Sequence, residues 1–133
     1  MTDFRPVTDD FAVSPQILPE EVADAARAGF TLIINNRPDG EAPGQPTGAQ
    51  IEAAARAAGL DYVSAPVVGR PGPAQVEAVR QAVAGANGKV LAFCRSGTRS
   101  ITAWALGQRP ARARDDLVRL GAAAGYDLSS ALP

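Results

Sequence analysis

Short, nearly unbroken apolar runs alternate along this chain with stretches in which apolar residues return every three or four positions. The runs are FAVS (11–14), FTLIIN (30–35), LDYVSAPV (60–67) and KVLAF (89–93). Their brevity and β-branched content read as strands, and FTLIIN is apolar enough for a strand buried on both faces. Between them lie helical spacings. Pro19 opens a helix to about residue 28, which Gly29 ends. Thr47 caps a second, with Ile51, Ala54, Ala55 and Ala58 on its inner side and Gly59 after it. A third starts near Pro73, turns Val76, Val79 and Val83 inward, and ends near Asn87-Gly88. Ile101, Trp104 and Ala105 mark a fourth; Trp104 at this spacing reads as core. The last, about 113–123, points Leu117 and Leu120 inward. Residues 125–133 show no rhythm.

Strands that alternate with helices of about ten residues predict an α/β fold with a mostly parallel sheet and helices on both faces. Four strands are visible, and the sheet is expected to hold four or five. The Pro/Gly-rich stretches are short and fall between periodic segments, so residues 1–133 read as one domain. In such sheets ligands sit beyond the carboxyl ends of the strands. Two chemically rich loops are expected there, 36–45 (NRPDGEAPGQ) and 94–100 (CRSGTRS).

Charge and composition narrow the chemistry. The 133 residues carry 13 basic and 14 acidic side chains, a net charge of -1, which gives no reason to expect nucleic acid or an anionic membrane as partner. No apolar run approaches the about 20 residues that span a bilayer. The start, MTDFRPVTDD, lacks the basic-then-apolar order of a leader, and a cytoplasmic protein is expected. The single cysteine, Cys94, cannot form an internal disulfide. There is no histidine, which removes histidine-based triads and most zinc sites. Neither a metal nor a cofactor is expected.

What remains is Cys94 at a strand end, followed by a glycine-containing loop and a helix. Backbone N–H groups from Arg95 to Arg99 can curl round one centre, and the helix start adds its own donors and positive dipole end. That makes an anion cradle whose field also favours a thiolate on Cys94. Arg95, Ser96, Gly97, Thr98 and Ser100 are therefore candidate anion-binding residues. Gly97 permits close backbone approach or a positive φ. Arg99 offers a planar fork of donors to an oxyanion, and the hydroxyls of Thr98 and Ser100 can donate to the sulfur.

The string CRSGTRS resembles the active-site loops of cysteine phosphatases and rhodaneses. The phosphatase pattern Cys-x-x-Gly-x-x-Arg-Ser/Thr puts five residues between Cys and Arg; here Cys94 and Arg99 are separated by four. Cys94, Arg95, Gly97 and Arg99 match the rhodanese pattern Cys-Arg-x-Gly-x-Arg. The resemblance implies a loop that encloses one transferable sulfur atom, where the longer loop accommodates phosphate. DFAVSPQI, NRPDGEAPGQP, GLDYVSAPV and LAFCRSGTRSITAWAL together resemble the small bacterial phosphatase-like domain also fused to beta-lactamase-type hydrolases. That likeness covers roughly residues 3–110. It implies a cysteine-phosphatase-like fold carrying a rhodanese-like loop.

Phosphatases of this type take a general acid from the loop after the preceding strand, and here that segment, SAPVVGRPGP, has no Asp or Glu. They also commonly place His before the cysteine, where this chain has Phe93. Sulfur transfer asks less, because sulfite and low-pKa thiolates leave without a proton donor. The expected activity is therefore a sulfurtransferase. Cys94 would take sulfur from thiosulfate or a low-molecular-weight persulfide and pass it to a thiol, sulfite or cyanide. A cysteine phosphatase is the alternative, and a non-catalytic anion- or persulfide-binding partner of a sulfur dioxygenase is the second. In the other loop, Arg37 can add positive charge. Asp39 and Glu41 are open between a displaced acid, an orienter of an arginine and a site for an ammonium group. For Asp39, a solvated Arg-Pro-Asp-Gly turn is the competing reading. Arg70 could steer an anion.

Overall fold

The computed structural model describes residues 2–133. Five strands, β1 (Arg5–Thr8), β2 (Phe11–Ser14), β3 (Phe30–Asn35), β4 (Asp61–Ser64) and β5 (Lys89–Phe93), form one sheet in the order β1-β2-β5-β3-β4. β2, β5, β3 and β4 run parallel, and β1 pairs antiparallel with β2 at the edge. The helices are α1 (Val22–Arg27), α2 (Gly48–Ala57), α3 (Pro73–Ala84), α4 (Thr98–Gly107) and α5 (Arg114–Ala123), with a 3₁₀ turn, Pro19–Glu21, leading into α1.

The central strands bury both faces, as their unbroken apolar runs require. On β5, Val90 and Ala92 join the core formed with α3, α4 and α5, while Leu91 and Phe93 join the one beneath α1 and α2. On β3, Leu32 and Ile34 face the first core and Ile33 the second. Phe30 breaks this alternation and shares the face of Ile33, because the pairing with β5 shifts between Phe30 and Leu32. A single inserted residue turns the preceding side chain over. Within the first core, Trp104 of α4 stacks on Phe11 of β2, with ring centroids 5.0 Å apart and planes 9° from parallel.

The departures from expectation have local causes. β1 carries Pro6, which removes a ladder donor, and proline is tolerated here because β1 is an edge strand. The third predicted strand ends at Ser64, before Pro66. Beyond it the chain still follows β3, with the N–H groups of Ala65 and Val67 donating to the carbonyls of Asn35 and Asn36 at 2.9 Å each. Thr47 caps α2 as expected, accepting from the N–H of Gln50 at 3.1 Å. Of the predicted inner face of α3, Val79 is fully buried and Val83 packs partly buried against the same core.

Candidate active site

The four parallel strands end level with one another. Ser14 pairs with Phe93, Phe93 with Asn35, and Asn35 with Ser64. The loops that leave these residues therefore emerge side by side at the carboxyl edge of the sheet. They supply Gln16 after β2, Arg37 and Glu41 after β3, Val67 after β4, and Cys94 to Gly97 after β5.

Cys94 is the first residue past β5 and is fully buried. The chain then turns sharply into α4. Gly97, at the N-cap of that helix, has φ +95°, and its N–H donates to Cys94 Sγ at 3.1 Å. Only glycine holds this conformation without strain. A side chain is excluded a second time by packing, since a Cβ on Gly97 would lie 2.1 Å from the Tyr126 hydroxyl. That hydroxyl donates to the carbonyl of Ser96 at 2.8 Å. On the other side of the loop, the N–H of Gln16 donates to the carbonyl of Arg95 at 3.2 Å.

Around the loop three charges form one network. Both Nη atoms of Arg99 donate to the Glu41 carboxylate, each at 2.8 Å, and Nη1 also reaches the carbonyl of Val67 at 2.7 Å. Arg37, with a side chain only 6% exposed, donates from Nε to Glu41 at 2.9 Å and from Nη1 to Gln16 Oε1 at 3.1 Å. The hydrogen bonds from Arg99, and then from Arg37, hold Glu41 down to about 2. Glu41 is thus an anion throughout the neutral range and has no proton to give. The Arg99 guanidinium is pushed above its ordinary value, first by Glu41 and also by the neighbouring Cys94.

Cys94, Gly97, Arg99 and Arg37 are brought together at this edge of the sheet, and Glu41 accepts from both arginines. Other placements differ. Asp39 faces α2, accepting from the N–H of Gly48 at 2.8 Å, so it closes the turn and supplies a helix start. Arg95 is exposed and enters the network only through its backbone. Thr98 does not donate to the sulfur: it opens α4 at the surface, and its hydroxyl accepts from Ser96 at 3.0 Å. Ser100 is fully buried in the first turn of α4, and its hydroxyl has no hydrogen-bond partner among the described residues. Arg70 donates to the carbonyl of Ala131 at 2.8 Å and is tied to the tail. Trp104 is core. Gln16 and Tyr126 were not foreseen. Gln16 sits two residues past a strand end, a position that could have flagged it; Tyr126 lies in the unpatterned tail and had no signal.

Among known proteins, the family model described as "Beta-lactamase hydrolase-like protein, phosphatase-like domain" matches residues 3–111. A beta-lactamase hydrolase-like protein of Xylella fastidiosa is 40% identical over 129 residues, which cover 95% of this chain and 30% of that protein. The chain thus spans under a third of the length of the curated relatives it matches. Among solved structures, the "putative phosphatase" from Neisseria meningitidis superposes with TM-score 0.86 and 32% identity, covering 98% of this chain and 94% of that one. The active form of Tk-PTP superposes with TM-score 0.73 at 19% identity, covering 94% and 86%, and shows the fold alone.

Proposed function

The chain belongs to the family of phosphatase-like domains of beta-lactamase hydrolase-like proteins, and from that premise we propose that it is a sulfurtransferase working through a persulfide on Cys94. One observation carries the choice of sulfur over phosphorus. The carboxylate built into the site, Glu41, is fixed as an anion between two arginines, and the loop that should bring an acid, 65–72, has none. A reaction whose leaving group departs as a stable anion needs no acid.

In the first half-reaction the Cys94 thiolate attacks the outer sulfur of thiosulfate. An Sγ–S bond forms, the S–S bond of the donor breaks, and its electron pair leaves with sulfite. A low-molecular-weight persulfide would react in the same way, releasing a thiolate. The Gly97 N–H, already 3.1 Å from Sγ, stabilises the sulfur anion, and the dipole of α4 adds to it. Arg99, Arg37 and Glu41 sum to one positive charge, which attracts an anionic donor. In the second half-reaction a thiolate, sulfite or cyanide attacks the outer sulfur and returns the Cys94 thiolate, a ping-pong cycle.

A cysteine phosphatase is the second reading, and the comparisons favour it. The family description is phosphatase-like, and the Neisseria meningitidis neighbour at 32% identity carries a phosphatase name. The two readings separate when one preparation is assayed both for sulfur transfer from thiosulfate to cyanide and for hydrolysis of aryl phosphates. Transfer is expected to dominate, and both residual activities should vanish in Cys94→Ser. Phosphate turnover above about 1 s⁻¹, within the ordinary enzyme range, with negligible sulfur transfer would replace the first reading by the second.

A further inference from the structure

We infer that Tyr126, from the tail beyond the family-matched residues, is a positioning residue that aims the Gly97 N–H at the nucleophilic sulfur by holding the other end of the same peptide unit. The carbonyl of Ser96 and the N–H of Gly97 belong to one planar trans peptide, so they point in opposite directions. The Tyr126 hydroxyl donates to that carbonyl at 2.8 Å, and the N–H on the far side donates to Cys94 Sγ at 3.1 Å. Fixing one end of a rigid plane fixes the other. A carbonyl that accepts a hydrogen bond also polarises its own N–H, so the line from hydroxyl to sulfur is cooperative.

Two further features support this role. The hydroxyl packs so closely on Gly97 that even a methyl group there would overlap it, so the ring and the loop are close neighbours. The ring itself is braced: the Tyr126 N–H donates to the carbonyl of Gly121 at 2.8 Å, and the Arg5 guanidinium lies 5.1 Å from the ring centroid. Burial pushes the Tyr126 hydroxyl above its ordinary value, so it keeps its proton, and hence its donor, through the neutral range.

The inference rests on Cys94 as nucleophile but not on the choice between sulfur and phosphorus. Its test is the pH profile of Cys94 alkylation by iodoacetamide, followed by mass of the Cys94 peptide, in three proteins. Tyr126→Phe keeps the ring and deletes the donor. Leu128→Ala loosens the packing of the tail on Gly121 and leaves the hydroxyl in place. In Tyr126→Phe the rate at neutral pH should fall about threefold to tenfold and the profile should move to higher pH, with little change in melting temperature. In Leu128→Ala the melting temperature should fall and the profile stay. Equal profiles in Tyr126→Phe and wild type overturn the inference, as does a Leu128→Ala profile shifted as far as that of Tyr126→Phe. Where burial keeps iodoacetamide from Cys94 at every pH, the same comparison of the three proteins is read from the pH–rate profile of the Cys94-dependent activity; a protein with neither alkylation nor Cys94-dependent activity overturns the nucleophile assignment, and this inference falls with it.

Discussion

Arg99 lies next to Cys94 and is tied through Glu41 to Arg37, so the fork expected to receive an oxyanion is largely occupied by protein. Glu41→Gln is therefore informative. It breaks charge-assisted bonds worth roughly 1.5–3 kcal/mol, while the added positive charge returns only about 1 kcal/mol at contact distance in water. Orientation outweighs attraction, and kcat/KM for thiosulfate should fall on the order of tenfold in steady-state kinetics. An unchanged value would separate the network from catalysis. The same carboxylate makes a pH prediction. Its value is depressed, so its contribution is present above the ordinary carboxylate range and is lost only as pH falls through about 2. Wild-type and Glu41→Gln pH–rate curves should thus have the same shape between about pH 5 and 8. A limb present only in wild type would mean that Glu41 exchanges a proton after all. Arg99→Lys should be nearly as damaging as Glu41→Gln, because an ammonium cannot bridge both Glu41 oxygens and the Val67 carbonyl at once. Donor affinity that is unchanged in direct titration would contradict this.

The start of α4 carries the loop, and the β2–α4 contact lies behind that helix in the core. Gly97→Ala meets both a positive φ and the Tyr126 hydroxyl, and should destabilise the fold by about 1–3 kcal/mol or more in urea unfolding, with activity lost in the folded fraction. Retained activity would show a looser loop than described. Trp104→Ala should behave differently. It empties the stack on Phe11 and should cost about 3–5 kcal/mol, yet leave KM for thiosulfate unchanged wherever the protein is folded. A raised KM would place Trp104 in the site. These elements were legible in the sequence because their signals are local: FTLIIN and KVLAF match β3 and β5, and Gly97 announced a turn. β1 was not legible, because four residues around a proline at a sheet edge carry no periodicity.

Across the whole molecule, what the sequence hid is contact between distant residues. The cysteine loop could be recognised from seven consecutive positions, and it led to Cys94, Gly97 and Arg99. The partners that shape the loop lie far away in the chain: Glu41 is 58 residues from Arg99, and Tyr126 is 30 from Ser96. No spacing rule joins such pairs; only the level ends of four parallel strands and the return of the tail bring them together. Asp39 stays open in the sequence for a related reason, since a carboxylate in a turn can serve either a ligand or the next helix, and only the fold shows that it accepts from Gly48. Whether this phosphatase-like fold carries sulfur on Cys94 is open to direct measurement. The intact protein is incubated with thiosulfate, desalted and weighed, and the Cys94 peptide is then sequenced by mass spectrometry. A gain of one sulfur atom on Cys94 is expected, which disappears when cyanide is added and never forms in Cys94→Ser. A Cys94 that gains no sulfur from thiosulfate or from a low-molecular-weight persulfide, in a preparation that hydrolyses aryl phosphates, would contradict the sulfurtransferase reading.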